Sequence, residues 1–521
     1  MAFLRGFLVV VTLLLSLVSC FQAPPCRFSP RHSQQEILNN PTNFVNDILY
    51  WEGHFHANNI GYNTANGMSY DGTLINGTTG IATDKHPFSA ASKESLQIMV
   101  YVHALAGDSR AATFLSPTNQ KAAPGIAANI LKTKLNTYLK FNQTFPGYGG
   151  FLPWFLADQA DIQPTSDWVN RVPALDNGEL IWSVYAAVQV LESSPNREWK
   201  TLAKAWQTWL DYTASNAARI FYNGTGRVCA VADLGDQSLP PNSPSQNYTC
   251  EGTGLINDPY EGELFTWWLY FFGGLSSSDK NALWEVKRPQ LVNYSGALVT
   301  SRHIGPITVQ EGFWLSSHEQ WKVLELPYFD VSIVKRLYNN AERVRTCNSV
   351  LMGRNPGMFA SVNNITDPVT GQIPGYISNA GVPEVSNQTV QELDVITPYS
   401  VFPTVLFDEG IGLAWYKNML DGKGMQNRYG STESERRDGI GISAFVSWDS
   451  KITTVNALLG GVAKYSKMKM HKDGIYDEFV KITQREYGRV FGNTLKGENI
   501  RLCLPTFSVP VVNVSDFTTC R

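Results

Sequence analysis

The sequence predicts an all-α fold, built as one large domain with long connecting loops. Three observations predict it. Helical periodicity recurs along most of the chain, period-2 alternation is rare and short, and Gly/Pro/Asn-rich stretches such as 143–153 and 353–386 separate the periodic segments. The 521 residues would allow two to four average domains. No linker or repeat marks an interior boundary, so residues 45–502 read as a single unit, with an N-terminal tail over 21–44 and a C-terminal tail over 503–521.

The elements follow in order. Leu96, Met99, Val100 and His103 to Leu105 make one apolar helix face that ends at Gly107. Leu180, Ile181, Val184, Tyr185, Val188 and Leu191 keep the 3.6-residue period until Ser193-Ser194-Pro195 stops it. Trp199, Leu202, Trp206 and Trp209 form a stripe on the next helix, read as core. Leu264 to Phe272 is apolar on nearly every side, which predicts a helix buried all round. Ile333 to Val344 and Val455 to Val462 are further helices, and Val509 to Val514 reads as a short strand. Loops this long in a compact domain usually carry function.

Composition narrows the function. The chain is 43% apolar, 12% aromatic and 17% charged, with a formal net charge of −3. That excludes extensive disorder and gives no electrostatic basis for binding nucleic acid. Residues 1–20 read as a secretory signal peptide: one Arg, an apolar run from Phe7 to Val18, then Ser19-Cys20. That run is too short to cross a bilayer and no other approaches the needed length, so a secreted, membrane-free, monomeric protein is expected. Eight Asn-x-Ser/Thr sequons follow, at Asn76, Asn142, Asn223, Asn247, Asn293, Asn364, Asn387 and Asn513, as in a secreted glycoprotein. Beyond Cys20, six cysteines remain, an even number that allows three disulfides. Sequence proximity suggests Cys229 with Cys250 and Cys503 with Cys520.

Phosphate-loop, zinc-protease and serine-hydrolase signatures are absent, and no cofactor or metal is expected. His54-x-His56 lacks a third ligand and reads as an ordinary loop pair. What remains is carboxylates beside aromatics. Asp258-Pro259-Tyr260-Glu261-Gly262-Glu263 opens the all-round apolar helix. An acid there either complements the helix dipole or, desolvated, is poised to donate a proton. Trp448-Asp449-Ser450-Lys451 opens another helix, where Asp449 is either a cap or a functional carboxylate. Asp176, Asn177 and Glu179 open a third. Trp314 to Lys322, with His318, Glu319 and Trp321, is either a capping box or a hydroxyl-recognition segment. Phe145 to Trp154 is a Gly-rich loop carrying Tyr148 and Trp154. Acids or amides at helix N-termini beside aromatics are how a toroid of helix hairpins builds a saccharide cleft. On this reading Tyr148, Trp154, Trp314, Trp321 and Trp448 are cleft wall.

Phe145–Trp154, Leu175–Leu180, Asp258–Leu264, Ser317–Lys322 and Trp448–Lys451 together resemble the secreted endo-β-1,2-glucanases of glycoside hydrolase family 162, with family 144 and the glycoamylase-like domains as more distant relatives. The resemblance spans about 45–470. It implies an (α/α)6 barrel and inverting, internal hydrolysis of linear β-1,2-glucan to sophoro-oligosaccharides without metal. It places the general acid on Glu263, with Glu261 in reserve, and the general base on Asp449, with Glu433 in reserve. It implies subsite roles for Tyr148, Trp154, Asp176, Asn177, His318, Glu319, Trp321 and Trp448. Two alternatives stay open: a related glycosidase of another linkage or of exo action, and a non-catalytic glycan-binding protein.

Overall fold

A computed structural model describes residues 23–297, 305–351, 362–363, 376–377, 381–390, 395–436, 441–509 and 516–520. Residues 510–514 of the expected strand Val509–Val514 and most of the 353–386 loop lie outside them.

Sixteen α-helices occur among the described residues. The first two are α1 (Gln34–Asn39) and α2 (Thr42–Gly53), followed by α3 (Ala91–Leu105), α4 (Ser109–Leu115) and α5 (Ala123–Thr144). Then come α6 (Ala174–Ser193), α7 (Arg197–Phe221), α8 (Gly262–Phe272), α9 (Ser277–Lys287), α10 (Lys322–Glu325) and α11 (Ser332–Leu351). The chain closes with α12 (Phe402–Phe407), α13 (Glu409–Leu420), α14 (Trp448–Leu459), α15 (Ala463–Lys472) and α16 (Tyr476–Phe491). They form an (α/α)6 barrel. The inner layer is α3, α6, α8, α10, α12 and α14, with α5, α7, α9, α11, α13 and α15–α16 packed outside it.

The sequence pattern sorts the layers. Every residue of α3 is buried, as is nearly all of α8 and α14, because each inner helix is covered on all sides. The outer α7 is amphipathic: Trp206, Trp209 and Leu210 face inward, as the stripe predicts, and Asn196 caps its start through Glu198 N (2.8 Å). Aromatic contacts hold α8 in place: Trp182–Trp268 edge-on at 5.6 Å, Phe221–Phe265 at 4.7 Å and Trp267–Trp284 at 4.9 Å. Each such pair contributes about 0.5–1.5 kcal/mol beyond its buried area. Gly178 lets α6 and α8 touch, since a Cβ there would lie 2.8 Å from Phe265 N.

Short strands gather near the N-termini of inner helices. Gly72–Ile75 pairs antiparallel with Ala82–His86 and with Phe445–Ser447, tying residues 71–86 to the start of α14. Arg171–Pro173, just before α6, pairs with Val231–Leu234.

Three expectations are corrected. Residues 21–44 are no loose tail over their described part: Phe28 and Ile37 are buried, and Ser33 with Glu36 forms a capping box on α1. Polar composition hid a few well-placed apolar anchors. The described parts of the C-terminal stretch, 503–509 and 516–520, are likewise docked, with Val509 and Phe517 buried. Cys229–Cys250 forms as expected, but Cys503 pairs with Cys347 and Cys520 with Cys26, not with each other. The reason is packing. Phe28 N and Ser29 N donate to Gln426 Oε1 (3.0 and 2.9 Å), and Arg27 ion-pairs Asp516, so both termini meet on the 417–426 segment. Among the sequons, Asn76, Asn223, Asn247, Asn293 and Asn387 are exposed and Asn142 is half-buried, while Asn364 and Asn513 lie outside the described residues. No described helix is long and apolar enough to cross a membrane.

Candidate active site

Five of the inner helices, α3, α6, α8, α10 and α14, carry polar residues in their first turn, and hydrogen bonds stitch several of them together. Ser95 of α3 donates to Glu325 Oε1 of α10 (2.7 Å) and lies 3.1 Å from the Glu179 carbonyl of α6. Asn456 of α14 donates to Leu96 O (2.9 Å), and the Trp448 indole donates to Lys93 O (3.0 Å). The starts therefore converge, and their acids form one electrostatic cluster: Asp176 and Glu179 of α6, Glu261 at the cap of α8, Glu325 of α10 and Asp449 of α14.

In four of these acids, Glu179, Glu261, Glu325 and Asp449, the protonated form is favoured. Burial pushes Glu261 well above the usual carboxylate range, and the carboxylates of Asp258, Glu319, Asp176 and Glu325 push it further. Burial does the same to Glu179, with Glu261, Glu325, Asp176 and Asp449 adding to it, and to Glu325. Asp449 is also raised, chiefly by burial and then by Asp71 and Asp176, against the opposing pull of Lys93. Lys93 Nζ sits 3.1 Å from Asp449 Oδ2 and 3.2 Å from Asp71 Oδ1, and His86 Nδ1 is 2.8 Å from Asp71 Oδ2. Asp449 Oδ1 has no hydrogen-bond partner among the described residues.

The wall carries Trp154, half-buried, which stacks on Trp168 (4.7 Å) and donates its indole N–H to Asp176 Oδ2 (3.0 Å). Asp176 and Asp449 are themselves half-buried, so these three and Trp314 are the accessible residues of the predicted set whose side chains are described.

Other sequence-predicted residues do structural work. Glu263 is fully buried, and its two oxygens accept from Tyr487 (2.7 Å) and Tyr328 (2.5 Å), with Lys322 Nζ at 3.4 Å. It belongs to an ion-paired network joining α8, α10 and α16. Glu433 accepts from Ser447 N (2.9 Å), Ser447 Oγ and Ser450 Oγ (both 3.0 Å), which fixes the start of α14. Asn177 is fully buried and bonds Leu152 N and O and Pro173 O. Tyr148 is fully buried, stacks on Phe141 and donates to Trp168 O (2.9 Å). Trp448 and Trp321 are buried, so neither is cleft wall; Trp314 stays half-buried. Glu319 forms the capping box with Ser316 and accepts from Phe313 N (2.6 Å); burial and Asp258 raise it to about 7. The His318 side chain lies outside the described residues. Lys451 pairs in the core with Glu52 (2.7 Å). His54 bonds Tyr50 O and His56 bonds Tyr101 OH, and no described group of three His, Cys, Asp or Glu is arranged to hold a metal.

Lys93, Asp71 and Glu325 were not singled out from sequence. The signal that could have found Lys93 is Lys93-Glu94-Ser95, a polar triplet opening an otherwise apolar helix, as at the other inner helices.

An (α/α)6 barrel whose inner helix starts gather buried acids beside a stacked tryptophan pair defines the α/α-barrel glycoside hydrolases as a class. The model of the endo-beta-1,2-glucanase SGL family, GH162, matches residues 68–521, and the chain belongs to that family. Two solved structures of an endo-beta-1,2-glucanase from Talaromyces funiculosus are 61% identical to it, cover 96% of this chain and 100% of their own, and superpose with a TM-score of 0.93. One is a glutamate-to-glutamine variant in complex with beta-1,2-glucan, the other a complex with sophorose. An endo-beta-1,2-glucanase from Chitinophaga pinensis shares the fold at 13% identity, with 88% and 98% coverage and a TM-score of 0.56. A putative glucoamylase from Bacteroides caccae does so at 10%, with 87% and 99% coverage and 0.57. No curated protein matches the chain.

Proposed function

We propose that the chain is a secreted endo-β-1,2-glucanase that cleaves linear β-1,2-glucan internally with inversion, Glu261 serving as general acid and Asp449 as general base. One observation carries the assignment of the acid: Glu261 lies in the carboxylate cluster, where burial and four neighbouring acids hold its proton, whereas Glu263 is locked between Lys322 and two tyrosines. A general acid must arrive protonated and face the leaving oxygen. Glu261 meets the first requirement and sits where the inner helix starts converge; Glu263 is committed elsewhere. Asp449 is held by Lys93 and keeps one oxygen without a hydrogen-bond partner among the described residues, which suits it to take a proton, directly or through a sugar hydroxyl, from the attacking water. Asp176 and Trp154, hydrogen-bonded to each other and half-buried, supply a hydroxyl acceptor and a ring face for a neutral sugar.

Secretion is supported by the three disulfides and by the signal-like N-terminus. Incubation of the purified protein with linear β-1,2-glucan tests the reading. Sophoro-oligosaccharides of several lengths appearing early are expected, with the product anomer opposite to the substrate's. A single product length from the start would replace endo by exo action, and no release between pH 4 and 8 would remove the assignment.

A further inference from the structure

We propose that Lys93 is a positioning residue for the base: gripped between Asp449 and Asp71, it aims Asp449 at the cleft and sets the pH range over which it works. The proposal rests on the reading of Asp449 as general base.

The grip is built by four elements. Lys93 stands in the first turn of α3, its side chain 8% exposed, with its ammonium 3.1 Å from Asp449 and 3.2 Å from Asp71 and 5.3 Å above the Phe88 ring. The spacing is enforced by Trp448, the residue before Asp449. Its backbone N–H donates to Asp71 O (2.7 Å) and its indole to Lys93 O (3.0 Å), so one residue registers α3, α14 and the 71–86 hairpin against each other. Asp71 N donates in turn to Phe88 O (2.6 Å), and His86 braces the outer face of Asp71 at 2.8 Å. Asp449 is thus tethered by one oxygen while the other is left for chemistry. Had Lys93 served stability alone, one acid would have sufficed to pair it. A lysine shared between two acids divides its charge between them.

The groups facing Asp449 are Lys93 of α3, Asp71 of the hairpin, and Asp176 of α6 further off; Glu179 of α6 feels Asp449 in return. On its own helix, Lys451 is turned to Glu52 and Glu433. Lys93 favours the ionised form of Asp449 and Asp71 opposes it, so removing each should move the acidic limb of the rate profile in opposite directions.

The experiment compares kcat/KM on linear β-1,2-glucan from pH 4 to 8 for the wild type, Lys93→Met, Asp71→Asn, Asp449→Asn and the Lys93→Met/Asp449→Asn double variant, with thermal melting as the check on folding. Lys93→Met is expected to carry the acidic limb upward, each unit of displacement costing about tenfold in kcat/KM at a fixed pH on that limb, with KM little changed. Asp71→Asn, which needs no folded Lys93→Met to be informative, is expected to carry it downward. In the Asp449→Asn background, loss of Lys93 should add nothing. Limbs that stay put, or move together, while Asp449→Asn is inactive overturn the clamp and leave the base in place. An Asp449→Asn enzyme within threefold of wild type overturns both.

Discussion

Two glutamates stand two residues apart at the start of α8, and their environments predict opposite outcomes for the same change. Glu261→Gln removes the proton donor proposed for the leaving oxygen, while an amide of the same shape fills its place. General acid catalysis contributes about 10²- to 10⁴-fold, so kcat on β-1,2-glucan should fall by that factor with the melting temperature within a few degrees. Glu263→Gln instead neutralises one partner of a fully buried ion pair and leaves the Lys322 ammonium among Tyr260, Tyr328 and Tyr487 with no carboxylate at 3.4 Å. Breaking a buried pair from one side costs roughly 3–5 kcal/mol, so this variant should lose stability in urea while its folded fraction keeps most of its turnover. The discriminating assay adds an aryl β-sophoroside with an acidic phenol as leaving group, which needs little protonation. Glu261→Gln should regain much of its rate on that substrate. A Glu263→Gln enzyme that melts like wild type but has lost turnover a hundredfold or more, beside an active Glu261→Gln, would refute the reasoning and return the acid to Glu263.

Further outcomes follow from the same geometry. The base must be ionised, so activity falls as pH drops through the raised Asp449; the acid must be protonated, so activity falls as pH rises through the raised Glu261. The rate profile should thus be bell-shaped, the acidic limb above the usual aspartate value and the alkaline limb well above the usual glutamate value. Glu179 and Glu325 are raised in the folded state and so hold protons that the unfolded chain has released above its own carboxylate range. Their contribution is full below the unfolded value and is lost as pH rises through the folded one. The melting temperature should therefore decline as pH rises above the ordinary glutamate value, and Glu179→Gln should flatten the decline. Trp154→Ala should raise KM with little effect on folding, whereas Tyr148→Ala, in the core, should destabilise by about 3–5 kcal/mol. Replacing Cys347 and Cys503 together by Ser should cost about 2–5 kcal/mol, seen as a lower urea midpoint, whereas a Cys503→Ser/Cys520→Ser enzyme should lose two bridges rather than one.

The sequence by itself determined six of the sixteen described helices and, for two of them, how they are buried. Period and composition are local: Leu264 to Phe272 is apolar on every side and can only be an inner helix, and the stripe Trp199, Trp206 and Trp209 can only be one face of an outer helix. It also placed acids at the starts of the helices that open into the cleft, because a helix start is written in a few adjacent residues. Which acid faces the opening is not local. Glu261 and Glu263 differ by about 200° of helix rotation, but only Lys322, Tyr328 and Tyr487, brought from other parts of the chain, show which direction is the wall. The same holds for Tyr148, Asn177, Trp321 and Trp448, whose sequence neighbours look like a cleft and whose spatial neighbours are core. Lys93 and Asp71 lie more than 350 residues from Asp449, and Cys26 lies 494 from Cys520. Pairings at that separation are set by how the barrel closes, since closure brings the first and last inner helices side by side.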